Sequence, residues 1–181
     1  MKPILMIHEM NEAMFDLPLE NYILTFDDGL VTPLKYIDEL IKLDTLKIFF
    51  ISTNIVCPEE IEQDMSFTVC KEAHINAACG DYSNYLKWSQ IKMLNTFHNF
   101  EIGGHGHNHL KLWETKGLRE RFTLINQDCK KMFSEFKRHN IKIDSYCFPY
   151  NYRDELCSGI VKKNGVTEIY DGSRKAIEDL I

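Results

Sequence analysis

The sequence predicts an α/β fold built on a mostly parallel sheet. Two observations carry that expectation. Short apolar runs alternate with amphipathic stretches along the chain, and polar clusters rich in Asp and His follow directly on several of those runs. Alternation of this kind is the pattern of parallel sheets, whose C-terminal strand ends share one rim where sites are usually built. At 181 residues the chain suits one domain, residues 1–181. A chain of this size buries about 70% of the surface its unfolded form exposes.

The elements read in order. Pro3 to His8 is the first strand. Tyr22 to Phe26 is the second and runs into Asp27-Asp28-Gly29. Behind Pro33, the residues Leu34, Ile37, Leu40 and Ile41 recur at helical spacing, which predicts a helix over 33–43. Residues 47–53 form a third strand. Residues 54–86 show no clear period and hold Cys57, Cys70 and Cys79. They read as a long loop or insertion with room for short helices, and loops of that length are often functional. A helix over 88–97 and a strand over 100–103 follow, the strand leading into Gly104-His105-Gly106-His107-Asn108-His109. A long helix over 116–139, a strand over 145–150 ending in Pro149-Tyr150, a helix over 153–163, a strand over 167–170 and a last helix from Arg174 complete the chain.

Composition sets limits. The net charge of −6 argues against a nucleic-acid partner, which usually meets a basic face. The apolar run Ile4-Leu5-Met6-Ile7 stops at His8-Glu9, too short for the core of a signal peptide. No apolar stretch approaches the roughly 20 residues of a membrane span. The expected location is therefore the cytoplasm. Six cysteines without a CxxC pair are expected to be reduced and mostly buried.

The chemistry collects at the strand ends. Of the adjacent carboxylates, one can hold a metal while the other accepts a proton from water; a solvated Asp-Asp-Gly turn is the competing reading. His105 and His109 are four apart and share a face if the segment makes a helical turn. Two imidazoles and a carboxylate make an open site for zinc or a related divalent ion, against the plainer reading of a polar loop. His107 is expected to support the site from behind or lie on the surface. Cys70, His74 and Cys79 are a loose and weak hint of a second metal site.

These residues resemble the signatures of the polysaccharide deacetylases, carbohydrate esterase family four with its NodB-like homology domain. Thr25-Phe26-Asp27-Asp28-Gly29 resembles the first signature. Glu101-Ile102-Gly103-Gly104-His105-Gly106-His107-Asn108-His109 resembles the second, and Tyr146-Cys147-Phe148-Pro149-Tyr150 looks like the third. The similarity extends over roughly residues 3–165. It implies a distorted, incomplete (β/α) barrel, C-terminally short, and metal-assisted hydrolysis of an N-acetyl or similar acyl group on a sugar or sugar conjugate, as in surface-polysaccharide or lipopolysaccharide biosynthesis. It implies Asp27 as general base, Asp28, His105 and His109 as ligands of one divalent metal (Zn²⁺ first, then Co²⁺, Ni²⁺ or Fe²⁺), and Tyr150 as a backbone donor to the oxyanion.

The chain departs from the family in three ways. Cys147 stands where many members carry Arg, Asn151 stands where Gly is usual, and no histidine follows Tyr150. The leaving amine still needs a proton. His8 is the first candidate donor, with His74, His107 and the returning proton of Asp27 behind it. Pro149, Trp113 and Arg174 are expected on the substrate side. Trp113 would stack on a sugar ring, and Arg174 would bind an anionic group or pair on the surface. Trp88 and Tyr152 are weaker stacking candidates. The missing family strands leave a sheet edge to be covered by the last helix, by the 54–86 insertion or by a second copy. The competing functions are a non-catalytic metal-bearing carbohydrate-binding or scaffolding domain and an amidase or deformylase acting on a small non-sugar amide.

Overall fold

A computed structural model describes residues 2–115 and 117–180. Seven strands form one sheet: β1 (Ile4–Ile7), β2 (Ile23–Phe26), β3 (Lys47–Ile51), β4 (Phe100–Gly104), β5 (Ser145–Cys147), β6 (Glu168–Tyr170) and β7 (Lys175–Ala176). Their order is β6-β5-β4-β3-β2-β1-β7, and every neighbouring pair is parallel. The helices are α1 (Ile37–Lys42), α2 (Cys70–Ala78), α3 (Trp88–Leu94), α4 (Leu118–Arg138) and α5 (Glu155–Lys163). The architecture is the incomplete (β/α) barrel expected from the sequence.

The middle strands are apolar on both faces, as parallel strands covered on both sides should be. All five residues of β3 are buried. The rings of Phe26 and Phe49 stack at 4.6 Å and those of Phe49 and Phe100 at 6.0 Å, across β2, β3 and β4. α4 lays Ile125, Cys129, Met132 and Phe136 onto the core. Gly103 and Gly104 let β4 approach its neighbours closely. A methyl group on Gly104 would meet the Met132 sulfur at 2.7 Å, and one on Gly103 would meet the Phe50 ring at 2.5 Å.

Two expectations need correction, and the 54–86 segment gains definition. The helix over 33–43 opens as a 3-10 turn at Thr32–Tyr36 and becomes α-helical only at Ile37. The 54–86 segment carries α2, whose Ala73 and Ala77 pack on a small apolar cluster with Leu30, Cys57 and Tyr85. Bonds from Val31 N–H to the Asn84 carbonyl and from Cys57 N–H to the Leu86 carbonyl, both 2.9 Å, fasten the segment to the barrel. The helix expected from Arg174 is instead β7 followed by a 3-10 turn, Ile177–Leu180. Lys175 and Ala176 pair with Leu5 and Met6 on the open edge of β1. Unpaired edge groups reward that pairing, whereas a helix of so few residues is marginal. This edge is thus met by the chain itself.

The long helix begins at Leu118, and the expected start at Lys116 lies outside the described residues. All six cysteines are free thiols, with Cys57, Cys129, Cys147 and Cys157 buried. Among the described residues, no helix is long and apolar enough to cross a membrane.

Candidate active site

Parallel pairing brings the C-terminal strand ends to one rim. His8 follows β1, Asp27 and Asp28 follow β2, His105 follows β4, and the Phe148-Pro149-Tyr150 segment follows β5. A cavity of about 560 Å³ opens there, lined by His8, both aspartates, His105, His109, Tyr150 and Asn151 from the barrel and by Cys70 and His74 from α2. Left-handed backbone recurs at this rim: Asp28 (φ 69°), His109 (φ 51°), Tyr150 (φ 57°) and Asn151 (φ 57°). Non-glycine residues held there cost on the order of 1–3 kcal/mol each and gather at functional sites.

The two oxygens of Asp28 do different things. Oδ1 lies 3.1 Å from His105 Nε2 and 2.9 Å from His109 Nε2. Neither contact has hydrogen-bond alignment, and Oδ1 is buried with no hydrogen-bond partner among the described residues. His105 Nδ1 sits 2.9 Å from the Cys147 carbonyl. A proton on Nδ1 satisfies that carbonyl and leaves Nε2 to face the carboxylate. A carboxylate oxygen flanked by imidazole nitrogens suits a divalent ion such as zinc, and among the described residues Asp28, His74 and His109 bring their ligand atoms within 4.8 Å of one another, with His105 adjoining Oδ1. Oδ2, by contrast, accepts hydrogen bonds from the Cys70 thiol (2.9 Å) and from His74 Nε2 (3.1 Å). Without an ion, burial pushes the Asp28 carboxyl up, but the positive charge of protonated His109 and protons on the His105 and His74 nitrogens that face it outweigh burial and hold it well below the usual range.

Asp27 is tied differently. Arg174 Nη1 donates to its Oδ1 at 2.7 Å and Nη2 to its Oδ2 at 2.6 Å. The Cys147 thiol lies 3.5 Å from Oδ2. Burial raises the Asp27 carboxyl, and the Arg174 bonds and charge bring it below its ordinary value. Arg174 therefore does not take the substrate-facing position expected of it. It is buried and does not line the cavity. Its remaining bonds go to the Asp171 carbonyl, Thr25 Oγ1 and Asn151 Oδ1. The departure at Asn151 has a reason here, since Asn accepts left-handed backbone and its side chain steadies the arginine.

The His105–His109 segment is not a helical turn. It is a loop anchored on Asp128, a residue that lies outside the three sequence signatures. Asp128 Oδ2 accepts the His107 N–H (2.7 Å), and Oδ1 accepts the Asn108 backbone and side-chain N–H groups (both 2.8 Å). One signal was present: a carboxylate on the apolar face of an amphipathic helix, beside Cys129. His107 turns away to bond Thr53 Oγ1 at 2.8 Å.

Two further expectations shift. Pro149 is buried and lines a small separate cavity with Asp128 and Cys157 rather than the large one. Trp113 is exposed beside the mouth, edge-on to Tyr150 at 5.0 Å and to Tyr152 at 5.5 Å, and it does not line the cavity either. Trp88 stacks on His139 at 4.0 Å, away from the site. Cys70 and His74 join the first site, not a second one, and Cys79 is exposed at the far end of α2.

No family model matches the chain, and no curated protein matches it by sequence. Solved structures do. IcaB from Ammonifex degensii aligns with a TM-score of 0.66 at 16% identity, over 97% of this chain and 84% of that one. A de-N-acetylase from Aggregatibacter actinomycetemcomitans aligns with a TM-score of 0.63 at 16% identity, over 92% and 70%. The Streptococcus pyogenes deacetylase PplD, in complex with acetate, aligns with a TM-score of 0.58 at 14% identity, over 90% and 80%. The chain has the NodB-like polysaccharide-deacetylase fold.

Proposed function

We propose that this chain is a metal-dependent hydrolase that removes N-acetyl, or closely related acyl, groups from a sugar or sugar conjugate, as in the assembly of a surface polysaccharide. One observation carries the reading. A buried carboxylate oxygen of Asp28 stands unbonded between two imidazole nitrogens, beside a second buried carboxylate, at the floor of an open cavity. Asp28, His105 and His109 would hold the ion, zinc being the first choice for this donor set. Such an ion, when bound, supplies Lewis acidity toward an acyl carbonyl at neutral pH.

The chain's own groups do the rest. Asp27, ionised and fixed by Arg174, accepts the proton of the attacking water at a carboxylate oxygen. Each of its oxygens keeps a lone pair beyond the one that meets Arg174. The Tyr150 backbone N–H donates to the developing oxyanion, a contact whose loss typically costs about 3 kcal/mol of barrier. His8, on the cavity wall, delivers a proton to the departing amine. The left-handed turn at Tyr150 presents that residue to the cavity mouth.

The paired bonds from Arg174, which hold the proposed base below its ordinary value, favour a second reading, a carbohydrate-binding member without turnover. Acetate release separates the two. Zn²⁺- or Co²⁺-loaded protein is offered N-acetylated sugars, oligosaccharides and sugar nucleotides, with Asp27→Asn as control. The enzyme reading expects acetate from at least one substrate class. No release above the control from any of them would leave the binding reading standing.

A further inference from the structure

Resting on the proposed cation site, the geometry points to α2 as a clamp for its carboxylate: Cys70 and His74 are positioning residues that hold Asp28 Oδ2 so that Oδ1 alone is presented to the ion. The two residues lie four apart on one face of a helix. They reach the same oxygen, at 2.9 Å from the sulfur and 3.1 Å from Nε2, and both contacts have hydrogen-bond geometry. The contacts to Oδ1 from His105 and His109 do not. The carboxylate is thus divided between a bonded oxygen and a free one.

The helix is itself held in place. Its first N–H, at Cys70, donates to Glu9 Oε2 (3.1 Å) just beyond β1. Ala73 and Ala77 are buried against the Leu30–Tyr85 cluster. The His74 ring stacks on His109 at 4.6 Å with 25° between planes, and Tyr85 stands edge-on behind it at 6.1 Å. His74 therefore touches two of the three proposed ligands at once, one by a hydrogen bond and one by its face; its nitrogen and the Cys70 sulfur also lie within ligand range of Asp28, so direct ligation by either is the alternative that the zinc measurements must exclude. Outer groups that orient ligands typically matter 10–100-fold to metal affinity. The clamp also explains what the 54–86 segment does for the barrel: it supplies, from outside the sheet, the orientation Asp28 lacks from its own strand neighbours.

Zinc affinity, read by chelator competition, tests this independently of turnover. His74→Ala and Cys70→Ala are expected each to weaken Zn²⁺ binding by about 10–100-fold. His74→Gln and Cys70→Ser keep a donor in place and are expected to recover most of the loss, which an imidazole or thiolate bound directly to zinc would not allow. X-ray absorption of the zinc-loaded, unsubstituted protein is expected to show nitrogen and oxygen neighbours and no sulfur shell at about 2.3 Å. That measurement is indifferent to how well the variants fold. Alanine variants with unchanged affinity, a failure of Gln and Ser to rescue, or a sulfur neighbour at zinc would each overturn the clamp while leaving the site. A wild-type chain that binds no Zn²⁺ would sink site and clamp together, and zinc binding without acetate release would refute only the enzyme reading.

Discussion

Arg174 closes on Asp27 with two parallel N–H···O bonds, 2.7 and 2.6 Å long, across 147 residues of sequence. The bond joins the turn before β7 to the end of β2 and sets one carboxylate of the candidate site. β5 carries Cys147, whose thiol lies 3.5 Å from Asp27 Oδ2. The guanidinium arrives from the turn between β6 and β7.

Removing that arginine should be costly. Arg174→Met leaves the Asp27 charge buried and uncompensated, a change that typically costs about 3–5 kcal/mol. Denaturant unfolding monitors it. Arg174→Lys should recover only part of the loss, because an ammonium cannot make the paired bonds of a guanidinium. A variant as stable as the parent contradicts the ion pair.

Acid should unfold the metal-free protein through these same aspartates. Both carboxyls lie below their ordinary values in the folded chain. A depressed folded pKa contributes stability that is fully present above the unfolded value of about 3.9 and is lost as pH falls through the folded one. Stability measured by urea titration should therefore drop between about pH 5 and pH 2, and Asp27→Asn should flatten that slope. A slope unchanged in the variant contradicts the account of Asp27.

Asp128 should matter to metal binding without touching the cavity. Asp128→Ala removes three hydrogen bonds from the His107–Asn108 turn and should weaken Zn²⁺ binding by about 10–100-fold. His107→Ala, whose ring faces Thr53, should bind zinc like the parent. Chelator competition reads both. Equal losses in the two variants would show that the loop, rather than Asp128, carries the effect.

The barrel offers a test at Gly104. An added methyl meets Met132 at 2.7 Å and Ile143 at 3.0 Å. Gly104→Ala should destabilise by about 1–3 kcal/mol, the usual cost of overpacking. The thermal midpoint is the readout, and an unchanged midpoint would mean that α4 shifts freely.

Much of this was legible in the sequence, for physical reasons. Strands β1 to β5 announce themselves as apolar runs, and the Asp and His clusters fall where parallel topology gathers strand ends. The shape of the His105–His109 segment was not legible: a spacing of four suggests a helical turn, but the loop is bent by bonds to Asp128, a residue 19 positions beyond His109. The last element is a strand and not a helix because helical periodicity over a few residues is weak, while the edge of β1 offers hydrogen-bond partners. The roles of Arg174 and α2 were hidden for one reason. Each depends on a contact more than 40 residues away in sequence, which no local pattern reveals.

The claim on which the rest depends is that Asp28, His105 and His109 hold one divalent ion. Calorimetric titration of the metal-free chain with Zn²⁺ tests it directly. Saturation is expected at one ion per chain, lost in both Asp28→Ala and His109→Ala while each variant retains its far-ultraviolet circular dichroism. Binding that persists unchanged in either folded variant would contradict it.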